Sequence, residues 1–494
     1  MKLCKSLLLL LLIIKGSILC AQTPERFYHY GNHWDDEVYT IKELSDGLFL
    51  VAGNSSKGSF SKSWIYKLDQ NGNATDSLVQ NSDVIGWSIV EFYKLDNYYI
   101  GIGMIDSAED ETKSLYYLKT DSNLNIVEEK MYPIELIVGS NFRVRTDFNN
   151  FYIFGYVKNQ FDEYDMMAMI LDRNGNLINQ KIWYMPNPQF IFDFLLNDDG
   201  SFYIFSYGYS GQARLKISDS LLVIDTLAMN YPVYFNTTVD WLTDTSYLYA
   251  GKGGEDALSE MAVAGKSTAK EIKCDQDKSF DDMSITLFDT SHNVLKFEAF
   301  GKPDTNEYCF NYKSLDYFDK NNIYITATSN FTVGSLYQEY DNEVLVVNLD
   351  STLTPRWEKY IGGDAYYNVF NLTALQDGGV VLACRRHDYR EHVGEMDVCL
   401  FRLDAEGNLM ASTELHPHSS GFEIYPNPVH DRLYINGLRT YRDAEVKVYN
   451  ASGQLMLQEK LHEDYLDVAS LPKGFYLLKI HSEDEIFVQK FVKK

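Results

Sequence analysis

The chain has 494 residues, 45% of them hydrophobic and 14% aromatic, and a formal charge of −26 at pH 7. That acidity argues against nucleic acid as a partner, because binding a polyanion needs a basic face that displaces its counterions. It suits instead a solvated surface that keeps an exported protein soluble, on a chain too long for one ordinary core.

Residues Met1 to Ala21 read as a signal peptide. Lys2 and Lys5 give a basic start, Leu7 to Ile14 are apolar, and Leu19-Cys20-Ala21 offers a small residue for cleavage. Eight apolar residues ended by Lys15 cannot cross a bilayer, and no other segment approaches eighteen, so no transmembrane segment is expected. Cys20 is a poor lipidation site: Leu19 stands where a small residue is needed and Ser17 where Leu is needed.

Residues 22–415 repeat. Each unit has a polar turn, an apolar run ending near Gly or Ala, a variable loop, and a second run ending in Leu-Asp or similar before another turn. The first is Ser45-Asp46-Gly47 with Leu48 to Gly53, then Ser63 to Asp69 and Gln70-Asn71-Gly72-Asn73; the last is Gln376-Asp377-Gly378-Gly379 with Val380 to Ala383, then Asp397 to Asp404 and Ala405-Glu406-Gly407-Asn408. Five degraded copies lie between them. The first runs begin near residues 48, 98, 151, 202, 247, 323 and 380, and most spacings are close to 50, as four-stranded propeller blades require. The runs lack the 3.6-residue period of a helical solenoid. The expected fold is therefore all-β, a seven-bladed β-propeller, with a pair of β-sandwiches as the alternative. These units resemble the repeats of bacterial secreted β-propellers, a likeness that supports a fold and not an activity. Glu25 to Gly31 resembles the outer strand Arg356 to Gly362, so a strand donated by the N-terminus would complete the last blade and hide two open edges. The leader carries +3 and the tail −1, which leaves about −28 on the propeller.

Several stretches of this region carry residues of chemical interest. Asp69 to Asn73, Asp172 to Asn176 and Asp404 to Asn408 start like a calcium loop, but Leu or Ala follows where a closing acidic residue would stand, and Asn-Gly makes a hairpin turn unaided. No cofactor is expected, with calcium at these turns as the alternative. Gly265-Lys266-Ser267 has Glu260 where a phosphate loop needs Gly. It lies in the longest insertion, Lys252 to Asp282, where Ala257 to Val263 hint at a short helix. His387, Asp388, Glu391 and His392 sit in one loop without a helix to fix their spacing for a metal. Gly208 to Gln212 fails as a nucleophile elbow, so no catalytic residue is assigned. Four cysteines follow the leader; Cys384 and Cys399 occupy corresponding points of the two clear strands of the last unit and are expected to pair, leaving Cys274 and Cys309.

His416 to Gly421 is a short polar linker, and residues 422–494 then run as short strands between turn formers, as a small Ig-like β-sandwich would. Tyr425-Pro426-Asn427-Pro428, Val448-Tyr449 with Gly453, Leu471-Pro472-Lys473-Gly474-Phe475-Tyr476, and Val488-Gln489-Lys490-Phe491-Val492-Lys493 occur in that order. They resemble the type A C-terminal sorting domain of the bacterial type IX secretion system. The resemblance implies export through the periplasm to the cell surface or medium, with the secretion machinery as a partner.

Two functions suit a monomeric propeller so delivered. One is non-catalytic binding of a protein or glycan; the other is a hydrolase or lyase with active-site residues scattered over several blades. Whether carboxylates converge on the central channel discriminates between them.

Overall fold

The computed structural model describes residues 28–410 and 423–494, apart from residues 31–34, 45–46, 58–59, 83–84, 108–112, 135–141, 159–163, 184–188, 209–210, 230–233, 253–281, 303–304, 310–312, 332–336 and 391–394 in the first range, and 426–428, 437–443, 451–454, 462–464 and 483–484 in the second. The leader, the linker and the helix expected within the long insertion all lie outside the described residues. The chain divides into two units near Ser412, and each is taken by itself.

In the first unit the paired apolar runs become the second and third strands of antiparallel sheets, seven among the described residues. These blades span residues 35–82, 85–134, 143–183, 189–229, 234–300, 307–362 and 366–403. The first has its strands in chain order: Asp35–Glu43, Phe49–Lys57, Phe60–Leu68 and Ala74–Ser82. Middle strands are buried on both faces, as Ile323–Ser329 and Val380–His387 are throughout, because each is covered by a neighbouring blade. Outer strands meet water and are more polar, as in Pro355–Gly362. Each buried Val, Leu, Ile or Phe contributes about 1.5–3 kcal/mol, so the repeat of apolar middle strands is what the fold rests on. Blade 6 departs from the pattern: Glu307–Tyr308 and Leu315–Tyr317 share the innermost place against Ile323–Ser329.

Neighbouring blades are bonded all the way round. Ser63 accepts the Trp87 backbone N–H at 2.8 Å, the Tyr93 hydroxyl donates to the Val144 carbonyl at 3.0 Å, and Trp241 Nε1 donates to the Leu196 carbonyl at 2.8 Å. Thr328 accepts the Val369 N–H at 3.0 Å. The ring then closes over 332 residues, where Asn371 Nδ2 donates to the Tyr39 carbonyl at 3.2 Å and Thr373 Oγ1 to the Ile41 carbonyl at 2.7 Å. This unit is a β-propeller. The last blade takes its outer strand from the other end of the unit, in the order Tyr28–Tyr30, Asp397–Leu403, Val380–His387, Tyr366–Ala374.

Two local devices repeat. The first strand of blades 1, 2, 4 and 7 carries one extra residue, Tyr39, Val90, Phe192 and Phe370 respectively. Such bulges increase twist and re-aim the side chain that follows. The tight turn that follows each third strand has its fourth residue in the left-handed region, Gly in blades 1, 3 and 7. At Gly175 and Gly407 a side chain would also collide, since a Cβ would stand 2.8 Å from the ring of Tyr117 or Trp357 in the preceding blade. Where Leu124, Leu221, His292 and Leu353 hold this conformation, φ 59–68°, their side chains are buried.

The second unit is a small sandwich. Glu423–Tyr425, Arg432–Asn436 and Tyr465–Asp467 form one sheet; Leu455–Lys460, Glu445–Asn450, Gly474–Ser482 and Glu485–Lys493 form the other. Leu433, Leu466, Val446, Val448, Leu478 and Ile480 share its core. The carboxyl end is fixed as well: Val429 donates its N–H to the Val492 carbonyl at 2.8 Å and accepts that of Lys494 at 2.9 Å.

Candidate functional site

The calcium-like turns have a structural use. Asp69, Asp121, Asp172, Asp350 and Asp404 each accept, through Oδ1, the backbone N–H groups two and four residues on, at 2.8–3.0 Å. At Asp121 and Asp350 a side-chain bond, from Asn125 and Thr352 respectively, and then these backbone bonds hold the carboxyl below the usual carboxylate range; at Asp172 and Asp404 desolvation is the largest single influence, and the side-chain and backbone bonds together outweigh it. The alternating oxygens thus serve the turn's own backbone, with a left-handed residue closing a bulged hairpin.

The other flagged residues do not assemble. His387 is buried and its Nδ1 lies 2.8 Å from the Glu395 carbonyl oxygen, Asp388 receives Arg386 Nη2 at 2.6 Å, and Glu391 and His392 lie outside the described residues. Gly265-Lys266-Ser267 also lies outside them; Gly208 and Gly211 are cross-strand partners at the end of a hairpin. Cys384 and Cys399 are direct cross-strand partners, as expected; both are buried thiols, not joined by a disulfide in the structure. The ladder fixes their register without it. Burial, and then the neighbouring Cys399, pushes the Cys384 thiol well above its ordinary range. Cys309 is free and buried, and Cys274 lies outside the described residues.

The sequence pointed to the central channel but named none of the residues that line it. A cavity of about 250 Å³ is lined from the innermost strands of all seven blades, by Lys42, Glu91, Arg145, Asp193, Asp240, Lys313, Asp316 and Asn371 among others. Glu91, Asp193 and Asn371 each follow a bulge, which is how a residue within an apolar run comes to face the channel. Carboxylates do converge here, but they are occupied. Arg145 Nη2 lies 3.1 Å from Asp193 Oδ2 and donates to the Val239 carbonyl at 2.5 Å, while its Nε donates to the Phe194 carbonyl at 3.2 Å. Asp193 Oδ2 also accepts the Val239 N–H at 2.9 Å, and its Oδ1 that of Phe194 at 2.9 Å. Arg145 therefore ties blades 3, 4 and 5 together. Lys313 pairs with Asp316 at 3.0 Å, Asp316 accepts the Ala374 N–H at 3.0 Å, and Lys42 reaches Glu91 at 3.6 Å. Burial raises the Asp240 carboxyl, with Arg145 at 3.6 Å opposing it and Asp316 adding to it. Burial alone would lower Lys313, but Asp316 and Glu91 outweigh it and its pKa is raised.

A larger cleft, about 510 Å³, opens between blades 4, 5 and 6 beside their hairpin turns. Tyr203, Trp241 and Tyr317 wall it, with Asn197, Asp198, Asp199, Lys216, Thr243, Asp244, Thr290 and Lys320 around them. Trp241 is fixed by its bond to Leu196, and the Tyr317 hydroxyl donates to the Trp241 carbonyl. Asp199 is committed to Ser201 through a backbone bond of 2.9 Å, and Lys216 lies 3.8 Å from it. The sequence carried a faint signal of this cleft in Val239-Asp240-Trp241 and Asp316-Tyr317, polar or charged residues beside aromatics at the end of a first strand.

In the second unit the expected sorting residues divide by environment. Leu471, Tyr476 and Phe491 are buried, Tyr476 stacks on Phe491 with centroids 5.4 Å apart, and its hydroxyl donates to the Pro472 carbonyl at 2.7 Å. Gly474 begins the long strand, and Val492 and Lys493 end the next. Pro426, Asn427, Pro428 and Gly453 lie outside the described residues, as do the side chains of Tyr425, Gln489 and Lys490.

Residues 423–494 match the family described as the secretion system C-terminal sorting domain. No curated protein matches the chain. Among solved structures, PorZ, a surface component of the type IX secretion system of Porphyromonas gingivalis, is 8% identical over 93% of this chain and 81% of its own, with a TM-score of 0.31. The β-propeller domain of the Trilobed protease from Pyrococcus furiosus is 11% identical over 79% of this chain and 99% of its own, with a TM-score of 0.43. Prolyl oligopeptidase B from Galerina marginata is 8% identical over 92% of this chain and 56% of its own, with a TM-score of 0.45. The sorting tail marks the protein for export to the cell surface or the medium. No helix among the described residues is long and apolar enough to cross a membrane.

Proposed function

We propose that this protein is a type IX secretion cargo whose propeller acts, as a monomer, by binding a ligand and not by catalysis. One observation carries the reading: the acids that converge on the central channel are held in bonds between blades. A general acid or base must be able to reach a substrate proton, whereas Asp193 is only 2% exposed and bonded through both oxygens. The channel is a lock for the ring, which leaves recognition to the outer surfaces of the blades.

The hydrolase or lyase reading rests on Asp240, whose raised carboxyl in a cavity is the usual mark of a catalytic acid. The test is to incubate the purified exported protein with polysaccharide and peptide substrates and to compare it with Asp240→Asn. No new reducing ends, unsaturated products or free amines are expected from either. Turnover that disappears in the variant would overturn the binding reading. The export half of the proposal is tested by deleting residues 423–494: a folded, soluble propeller retained in the periplasm is expected. Normal surface levels of the truncated protein would refute it.

A further inference from the structure

We propose that the cleft between blades 4, 5 and 6 is a carbohydrate-binding site; this rests on the reading that the propeller binds its ligand. Sugars present two chemistries at once, apolar C–H faces that pack on aromatic rings and hydroxyls that both donate and accept hydrogen bonds. The cleft answers both. Tyr203, Trp241 and Tyr317 form its walls, each half-buried, so ring surface faces the opening.

The polar lining is of mixed character. Asp198, Asp244 and Lys320 are exposed, and their side chains make no hydrogen bond or ion pair among the described residues. The side-chain oxygen of Asn197 is buried and likewise without a partner, although its amide nitrogen donates to Ser201 at 2.8 Å. An acceptor left over at the floor of a cleft is a cost that a ligand hydroxyl relieves. A site for a cation would carry acids alone, and one for a hydrophobic ligand would carry neither sign. Here lysines stand among the aspartates although the propeller as a whole is strongly acidic, and a neutral polar ligand matches that balance.

Size and rigidity agree. A volume of about 510 Å³ falls within the roughly 300–1,000 Å³ of small-ligand sites, room for a short oligosaccharide. The walls are fixed before binding, because Trp241 is held by Leu196 and Tyr317 by Trp241 itself. Preorganised rings lose little freedom when a sugar stacks on them.

The test uses the full exported protein on an array of neutral glycans, followed by calorimetric titration with cellotriose, maltotriose and chitotriose. Binding to at least one glycan class is expected, weakened tenfold or more by Trp241→Ala and several-fold by Asp244→Asn and by Lys320→Ala. Tyr317→Phe, which keeps the ring, should retain most of the affinity. If Trp241→Ala does not fold, the two exposed-residue variants decide the matter: full affinity in both would overturn the proposal. Absence of binding across the array would also overturn it, while leaving the propeller a binder of something else. Trilysine bound in place of glycans, and lost in high salt, would replace the sugar with a cationic ligand. Release of new reducing ends from a bound glycan would instead refute the non-catalytic reading.

Discussion

Asp36 gives the sharpest test of the packing. It lies on the first strand of blade 1, fully buried, with its backbone N–H donated to the Met396 carbonyl of blade 7 at 2.8 Å. Burial pushes its carboxyl up to about 9; Ser55 and Lys62 pull down and Asp397 and Asp35 push up, each less than burial does. In the unfolded chain it titrates at its ordinary 3.8. The folded state therefore holds a proton that the unfolded state has lost at every pH between those values, and folding stability falls as pH rises through that window. Each pH unit is worth about 1.4 kcal/mol, so by pH 7 the residue costs roughly 4 kcal/mol. Asp36→Asn, which has the shape of the protonated acid and does not titrate, removes that slope. Denaturant unfolding from pH 4 to pH 8 should show variant and parent nearly equal at pH 4 and the variant more stable by a few kcal/mol at pH 7. Parallel curves across the range would refute the reasoning, because they would mean that Asp36 is ionised in the folded ring.

Arg145→Ala removes three inter-blade bonds and leaves Asp193 buried without its cation, so a loss of roughly 3–5 kcal/mol is expected by denaturant titration; Arg145→Lys, with charge but no planar fork, should recover only part. Burial, with Arg214 adding to it, lowers His292 to about 3, and its Nδ1 is hydrogen-bonded to the Tyr247 hydroxyl. Stability from this group is whole above pH 6.5 and lost as pH falls toward 3; His292→Asn, which tolerates the left-handed backbone, should flatten that acid limb in a pH series of unfolding curves. Cys384 and Cys399, opposed in register, are proposed to bond once the exported protein meets an oxidant. The bond would close a loop of about 15 residues worth roughly 3 kcal/mol; intact mass with and without reductant reads it, and two free thiols in exported material would dismiss it.

The fold was legible wherever a strand is covered on both faces. Leu48 to Gly53 and Val380 to Ala383 stand out because blades on either side allow no polar residue there. First and fourth strands were harder: Arg143–Thr146 is only 4 residues long, Leu315–Tyr317 only 3, and Ile126–Ile134 is interrupted by Glu128, Glu129 and Lys130 because it meets water. The Asp-Gly-Asn turns were visible as turns, and their likeness to a cation loop arises because oxygen at alternate positions serves backbone N–H groups equally well. The channel could not be read locally. Arg145 finds its partners 48, 49 and 94 residues away, and Glu91 and Asp193 looked like interruptions of apolar runs until the bulges aimed them inward. The cleft has the same cause, one aromatic residue from each of three blades.

The donated strand of the last blade also sets a clock. Tyr28–Tyr30 has its ladder partner only when Asp397–Leu403 exists, and the bonds from Asn371 and Thr373 that close the circle span 332 residues. A growing or threading chain can stack blades one after another, but it keeps two bare sheet edges until nearly 400 residues are present. Contacts so distant in sequence make closure slow, and bare edges invite pairing with other chains. The sorting domain at residues 423–494 comes directly after that point, so the address becomes readable only when the ring already has every strand it needs to shut. Order along the chain thus works as a checkpoint: a cargo truncated within its propeller never carries the address, and one that carries it can close.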